Sequence, residues 1–251
     1  MLRSILFLLL MCSSVMLFAQ KEGTIQYTIV NQLNFEAPEG MEEMFKNMPK
    51  ERSSKRELLF TSEEGLFRNV EDKIGNESDE VSLEDEGIHI KMNFNEPEET
   101  LYTNLAEGKT IHQRDLFGKT FLVTGTPEKM NWKVGKGKKK IADYICMEAT
   151  TMQDDTVQVV AWFTPQIPIS MGPEGFGGLP GMILQVDIDG GNTKITASEV
   201  SLESPDAEGM VAPSKGKKVD HETFIKIREE KLKEMNAQGG GRGIRIIEHR
   251  G

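Results

Sequence analysis

With 251 residues, of which 37% are apolar and 28% charged, the chain is long enough to bury a sizeable core in one large domain. Its net charge of -10 argues against a nucleic-acid-binding protein, because phosphate contacts need clustered Lys and Arg. A local basic run, KVGKGKKK at residues 133–140, is interpreted as a solvated hairpin loop.

Residues 1–19 have the pattern of a secretory signal peptide. Arg3 supplies the positive start, residues 5–17 the apolar core, and Ala19 a small residue before Gln20. The apolar run is short of a membrane-spanning length. We therefore expect an exported protein of the periplasm or cell envelope, with no transmembrane span in the mature chain.

Cys12 raises the alternative of a lipoprotein. Lipidation is disfavoured because the bulky Met11 precedes this cysteine, which lies inside the apolar core. The mature chain then retains a single cysteine, Cys146, and cannot form an intramolecular disulfide. We interpret Cys146 as a buried thiol that packs as a small hydrophobic group, with a metal ligand or a reactive thiol as alternatives.

Alternating apolar and polar residues predict a series of β-strands through most of the mature chain. Turn signals recur about every ten residues, a spacing typical of an all-β sandwich or barrel. We predict strands at 23–31, 57–61, 66–70, 88–94, 99–104, 110–116, 121–124, 141–149, 157–164, 182–188 and 193–202. The predicted fold class is mainly β: an antiparallel meander forming a curled sheet or open half-barrel, with one or two accessory helices.

Residues 41–48 predict the first accessory helix. Met41, Met44, Phe45 and Met48 share one face at helical spacing. We interpret this stripe as packing against the sheet; Cu(I) binding by the thioethers and an adaptable ligand-contacting surface are the alternatives. The acidic stretch at 71–87 has no apolar period and is predicted to be a mobile loop.

The second accessory helix is predicted to begin after Asp220, which is placed as its N-cap. The segment 203–218 before it is predicted to be a polar loop, and three glycines end the helix. The predicted domain organisation is a signal peptide at 1–19, a single β-rich domain at 20–238 and a flexible basic tail at 239–251.

The stretch between two predicted strands, residues 165–181, is rich in proline and glycine. Such a segment is neither a helix nor a central strand, but its buried-type apolar residues predict a rigid, packed connection. At its end, Pro180 followed by Gly181 predicts a type II turn over residues 179–182.

A set of residues in and around this stretch forms a recognisable pattern: Trp132, Tyr144, Cys146, Ala149, Ala161, Trp162, Ile167, Pro168, Gly172, Pro173, Phe176 and 178–184. This pattern resembles the GLPGLI family, a Porphyromonas-type group of exported Bacteroidetes proteins of unknown function. Met182 stands where the family name has Leu, and Phe163 stands where Tyr is expected. The resemblance covers residues 132–188 and implies kinship without implying an activity.

Aromatic residues concentrate near this signature and suggest a pocket for an apolar or peptide ligand. The predicted ligand-binding residues are Trp132, Tyr144, Trp162, Phe176 and Leu179. The interpretation that we favour for these aromatic residues is a folding core locked by a structural motif of Gly178, Leu179, Pro180 and Gly181, with the pocket as the functional alternative.

Motifs of familiar catalytic sites, such as HExxH, GxSxG, a P-loop or paired CxxC, do not occur in the sequence. The four histidines, His89, His112, His221 and His249, have no metal-ligand spacing and are interpreted as solvated or packed side chains. We therefore predict no catalytic residues, no metal ligands and no cofactor.

The leading functional hypothesis is a non-catalytic cell-envelope protein that binds an apolar or peptide ligand, or an envelope partner such as an outer-membrane protein. One alternative is a copper-handling periplasmic protein, which would use methionines, Cys146 or a histidine. The other is a hydrolase whose His, carboxylate and nucleophile come together only in the folded chain.

Overall fold

The computed structural model describes residues 21–34, 42–46, 48–70, 80–85, 88–93, 98–153, 155–205 and 209–238. The strands are β1 (Gly23–Gln32), β2 (Glu51–Phe60), β3 (Glu64–Asn69), β4 (Glu80–Asp85), β5 (Ile88–Asn93), β6 (Glu99–Asn104), β7 (Lys109–Leu116), β8 (Lys119–Gly125), β9 (Lys133–Ile141), β10 (Tyr144–Gln153), β11 (Val157–Thr164), β12 (Met182–Ile188), β13 (Thr193–Ser201) and β14 (Lys217–Asp220). The helices are α1 (Glu42–Phe45) and α2 (His221–Gln238), with 3-10 turns η1 (Pro173–Gly175) and η2 (Asp189–Gly191). The predicted signal peptide and basic tail lie outside the described residues.

Twelve strands form one open sheet in the order β14-β8-β7-β6-β3-β2-β1-β13-β12-β11-β10-β9, and β4 pairs with β5 in a separate two-stranded sheet. Two antiparallel runs of strands meet where β1 pairs with β13. Strand β14 pairs with β8 in parallel. The predicted fold class, a mainly β meander in an unclosed sheet, is confirmed.

Several predicted loops are wrong because they contain strands. The basic run at 133–140 lies in β9, an edge strand, where lysines discourage pairing with another chain. The acidic stretch at 71–87 contains β4, and the polar loop at 203–218 ends in the first residues of β14. The strand predicted at 141–149 is interrupted by a turn at Ala142 and Asp143, both with positive φ. In each case pairing with a partner strand decides the conformation against the local composition.

Strand register places the apolar residues of one sheet face in continuous rows, because directly opposed residues share a face. One row runs across five strands through Ile29, Ile195, Val186, Ala161 and Ala149. A second row runs through Ile25, Leu58, Phe67, Leu101, His112 and Val123. Both rows lie on the same face, since Ile25 and Ile29 are four residues apart on β1.

The helix α2 packs on the β8 end of this face. Thr223 N donates to Asp220 Oδ1 at 2.7 Å, which confirms the predicted N-cap. Phe224 is buried and meets Phe121 edge to face, with ring centroids 5.6 Å apart. The helix predicted at 41–48 is shorter in the structure, where α1 spans Glu42–Phe45. Phe45 and, beyond α1, Met48 are buried as the packing interpretation predicts, while Met41 and the Met44 side chain lie outside the described residues.

Candidate ligand-binding cavity

An open cavity of about 1580 Å³ lies against the apolar face of the sheet. Its floor contains Ile29, Leu58, Phe67, Leu101, Val123 and Ile195 from the two rows described above. The Pro/Gly-rich loop at 165–181 forms one wall, and the first turn of α2 contributes another. The cavity therefore has a floor of paired strands and walls from a loop and a helix.

The loop at 165–181 is attached to the sheet by backbone hydrogen bonds. Met182 N donates to Ile167 O at 2.9 Å, and Ile183 N donates to Met171 O at 2.8 Å. Ile167 and Met171 are also buried. The prediction of a packed connection is confirmed, so this wall of the cavity is a fixed part of the fold.

The type II turn predicted over residues 179–182 is wrong. Gly181 N donates to Leu179 O at 2.8 Å and closes a γ-turn at Pro180, because the Met182 amide is already bonded to Ile167. Gly181 has a φ of +155°, and a Cβ at this position would lie 2.2 Å from Thr164 O. Glycine is therefore required by the close approach of the end of β11.

Trp132, just before β9, holds the loop from the other side. Its Nε1 donates to Gly177 O at 2.8 Å. The next residue, Gly178, has a φ of +85° and donates its amide to Ser170 Oγ at 2.9 Å. These two hydrogen bonds hold the part of the loop that lines the cavity.

A cluster of five charged or titratable side chains crosses the cavity wall; we call it the charged cluster. Its members are Arg56, Glu99, His112, Arg114 and Glu174. Glu99 lies at its centre, 3.3 Å from Arg114 Nε, 3.5 Å from His112 Nε2 and 3.9 Å from Arg56 Nη1. Arg56 also pairs with Glu174 of the loop at 3.2 Å.

The charged cluster is built by register and supported by aromatic rings. Glu99 is directly opposite Arg114 on β6 and β7. Arg56 lies over Phe67 at 5.7 Å and Arg114 lies over Phe224 at 5.4 Å. The Arg56 and Glu99 side chains are only 2% and 5% exposed, and buried charges of this kind persist when they are paired.

The predicted ligand-binding residues are divided between different parts of the fold. Phe176 lines the cavity and, with Leu179, is buried in a cluster around Ala161 and Phe163, against which Trp132 packs. Phe176, Leu179 and Trp132 therefore lie together on the cavity side.

Trp162 and Tyr144 lie elsewhere. Trp162 stands between Ala161 and Phe163 on β11, so its side chain points to the opposite face of the sheet, with Lys139 Nζ 4.0 Å from the ring centroid. Tyr144 packs against the core cluster that contains Cys146. The ligand-binding role of all five predicted residues stays a prediction.

The charged cluster was missed because its members are far apart in sequence and none belongs to a known motif. His112 was interpreted as a solvated or packed side chain, yet it lines the cavity beside Glu99. One available signal was the hairpin of β6 and β7: a turn at residues 105–108 places Glu99 opposite Arg114. Arg56 and Glu174 join the cluster through long-range packing, for which the sequence gives no comparable signal.

Cys146 is fully buried on β10, and its Sγ lies 3.7 Å from Tyr144 O. Burial raises the pKa of the Cys146 thiol to about 11, although the nearby Lys139 charge acts in the opposite direction. The packing interpretation of this cysteine is thus supported by its surroundings. In the described part of the chain, His, Cys, Asp and Glu side chains form no group of three that could hold a metal ion.

A hydrolase site was one alternative from the sequence, and the expectation of no transmembrane span concerned the mature chain. Among the described helices, none is long and apolar enough to cross a membrane. His112 and Glu99 supply a histidine and a carboxylate in one cavity, but no described Ser, Thr or Cys side chain hydrogen-bonds to His112. The hydrolase alternative stays a prediction.

Comparison with solved structures shows a distant likeness of fold. PNGF-II, in its P21 and C2 crystal forms, is similar with a TM-score of 0.51 and 16% identity over 82% of this chain. The match spans only 34% and 33% of those chains, so this chain corresponds to about a third of PNGF-II. An uncharacterized conserved protein from Thermus thermophilus matches at a TM-score of 0.40 and 7% identity, over 80% of this chain and 91% of its own.

No curated protein matches the chain. A family model described as protein of unknown function (Porph_ging) matches residues 151–185. These residues run from the end of β10 through β11 and the Pro/Gly-rich loop into β12. Over residues 151–185 the chain thus matches the Porph_ging family of unknown function, and the resemblance predicted from its sequence is confirmed.

Proposed function

We propose that this chain is an exported binding protein of the cell envelope that takes an apolar or peptide ligand into the cavity. The observation that carries the proposal is the cavity of about 1580 Å³, whose floor contains six apolar side chains of the two rows. Ligand sites are concave and mostly apolar, with a few placed polar groups that fix orientation. The two apolar rows and the charged cluster have this composition.

The construction of the walls supports binding over a purely structural role. The loop at 165–181 is held by Trp132 and by hydrogen bonds to β12, so the cavity exists before a ligand enters. A preformed site spends less free energy on ordering side chains when it binds. Export is supported by the signal-like pattern of residues 1–19.

Binding is tested with N-phenyl-1-naphthylamine, an uncharged apolar dye that fluoresces in apolar surroundings. Thr103→Trp on β6 places a large ring in the cavity, and Thr100→Trp places the same ring on the opposite face of the same strand. We expect the wild type and T100W to bind the dye and T103W to lose binding. Equal binding by both variants, or none by the wild type, would reject the cavity as the site.

Export and the natural ligand are tested together by mass spectrometry of protein recovered from the envelope fraction of a bacterial host. The expected mass is that of a chain beginning at Gln20. In native conditions we expect an additional mass that is lost on denaturation. A full-length mass in the cytoplasmic fraction would contradict export, and a native mass equal to the denatured mass would contradict capture of a ligand during export.

A further inference from the structure

Arg114 is one of the partly exposed members of the charged cluster. The Arg114 side chain is 27% exposed and lines the cavity. Its Nε donates to Glu99 Oε1, while in the described part of the chain its two terminal nitrogens donate to no residue. Arg114 therefore presents N–H donors to the cavity from a guanidinium whose position is already set.

Two contacts hold that guanidinium in place. Glu99 pairs with Nε at 3.3 Å, and the Phe224 ring lies 5.4 Å from the guanidinium carbon. Glu99 is 5% exposed and is itself held by Arg56 and His112. Because the Nε and one face of the guanidinium are already in contact, its two terminal nitrogens are left to bind a planar anion. A carboxylate is a planar group that accepts two parallel N–H bonds.

The neighbouring surface is apolar. His112 and Arg114 alternate with outward-facing residues on β7, and His112 is opposite Leu101 and Val123 in the second apolar row. A molecule whose carboxylate meets Arg114 would therefore lay an apolar chain along Leu101 and Phe67.

We propose that Arg114 anchors the carboxylate of an apolar ligand in the cavity, with His112 beside it and Glu99 as the positioning residue. The inference rests on the proposed function and names the ligand class of the same site. A free fatty acid and the C-terminus of an apolar peptide share this chemistry.

Outside the charged cluster, the charged or titratable side chains among the described residues that line the cavity are Glu128, Lys129, Asp220, His221 and Glu222. The positive charges of Arg56 and Arg114 are offset by the negative charges of Glu174 and Glu99, so the cluster creates no large positive field. It would select a carboxylate through the direction of its N–H donors. Asp220 accepts the Thr223 amide as the N-cap of α2. Lys129 also lines the cavity and carries a positive charge outside the cluster, so it serves as the control.

The test is displacement of bound N-phenyl-1-naphthylamine from the full chain. One arm compares decanoic acid with methyl decanoate, and the other compares the tripeptide Leu-Leu-Val with its C-terminal amide. We expect the acid of at least one pair to displace the dye at about tenfold lower concentration than its neutral counterpart. The pair that shows the preference identifies the source of the carboxylate.

Arg114→Met should remove the preference, measured as the ratio of the acid and neutral displacement concentrations within the same variant. Lys129→Gln should leave the preference intact. If R114M does not fold, Arg114→Lys tests the same point. Lysine keeps a positive charge beside Glu99 but cannot donate two parallel N–H bonds, so the preference for the acid over the neutral compound should fall.

Equal displacement by acid and neutral compounds, with dye binding intact, would overturn this inference and leave the proposed function standing. The same holds if R114K keeps the full preference, or if K129Q abolishes it. Failure of the wild type to bind the dye at all would instead reject the proposed function and this inference together.

Discussion

Glu99 and Arg114 face each other across β6 and β7, with Arg114 Nε donating to Glu99 Oε1 at 3.3 Å. The same carboxylate also lies within 4.0 Å of Arg56 and His112. One nearly buried acid therefore holds together three basic side chains from two other strands. The charged cluster depends on this residue for its stability and for the position of Arg114.

Glu99→Gln is expected to lower the free energy of unfolding by about 3 kcal/mol, because the buried Arg56 guanidinium loses the charge of one of its carboxylate partners. Glu174→Gln is the matched control: its side chain is 31% exposed, so the expected loss is about 1 kcal/mol or less. Urea unfolding followed by far-ultraviolet circular dichroism measures both variants. Equal losses for E99Q and E174Q would show that Glu99 is not the central residue of the cluster.

Trp132→Phe keeps most of the aromatic packing but removes the Nε1 hydrogen bond to Gly177 O. The expected loss is about 1 kcal/mol in the free energy of unfolding. Trp162→Phe provides the comparison, since Trp162 meets Lys139 through its ring face rather than through a hydrogen bond to the loop. Faster hydrogen exchange at the Gly178 amide in W132F, and not in W162F, would place the effect in the loop. Unchanged exchange in both variants would contradict the anchoring role of Trp132.

Gly181→Ala is expected to cost about 3 kcal/mol of stability or to prevent folding, because the new Cβ meets the backbone of Thr164 and Pro165. Gly190→Ala is the control that introduces backbone strain without a steric clash. Gly190 also has a positive φ of +65°, but nothing lies within 4 Å of a Cβ at this position. We expect G190A to cost about 1 kcal/mol. Thermal unfolding of both variants measures the difference, and equal costs would refute the role of the close approach.

Cys146 is expected to resist modification while the protein is folded. In a chain carrying Cys12→Ser, the thiol should react with 5,5′-dithiobis(2-nitrobenzoate) at about pH 8 after denaturation and far more slowly before it, because thiolate is the reactive form. A fast reaction of the native protein would contradict the buried placement.

The same thiol gives a pH dependence of stability. Its pKa is about 11 in the folded chain against 9.0 for an ordinary cysteine, so the folded state retains the proton over this range. The contribution to stability is therefore complete below pH 9 and is lost as the pH rises toward about 11. Cys146→Ala should lack this component when unfolding is measured across that window. An identical pH profile for both chains would contradict the raised pKa.

Local pattern was sufficient for much of the fold. β1, β6, β11 and β12 lie at residues predicted to be strands, and in β1 buried and half-buried side chains alternate, as expected for a strand with one covered face. Asp220 could be placed as an N-cap because capping involves residues three apart in sequence. The GLPGLI-type stretch could be identified for the same reason, since it is contiguous.

Contacts between distant segments determined the rest. The lysine-rich run forms the edge strand β9 because it pairs with β10. The turn at Pro180 is a γ-turn because the Met182 amide donates to Ile167 O. The cavity and the charged cluster join residues as far apart as Arg56 and Glu174. The energy of such contacts depends on which strands pair and on which face of the sheet meets the loop. The periodicity of the sequence specifies neither of these.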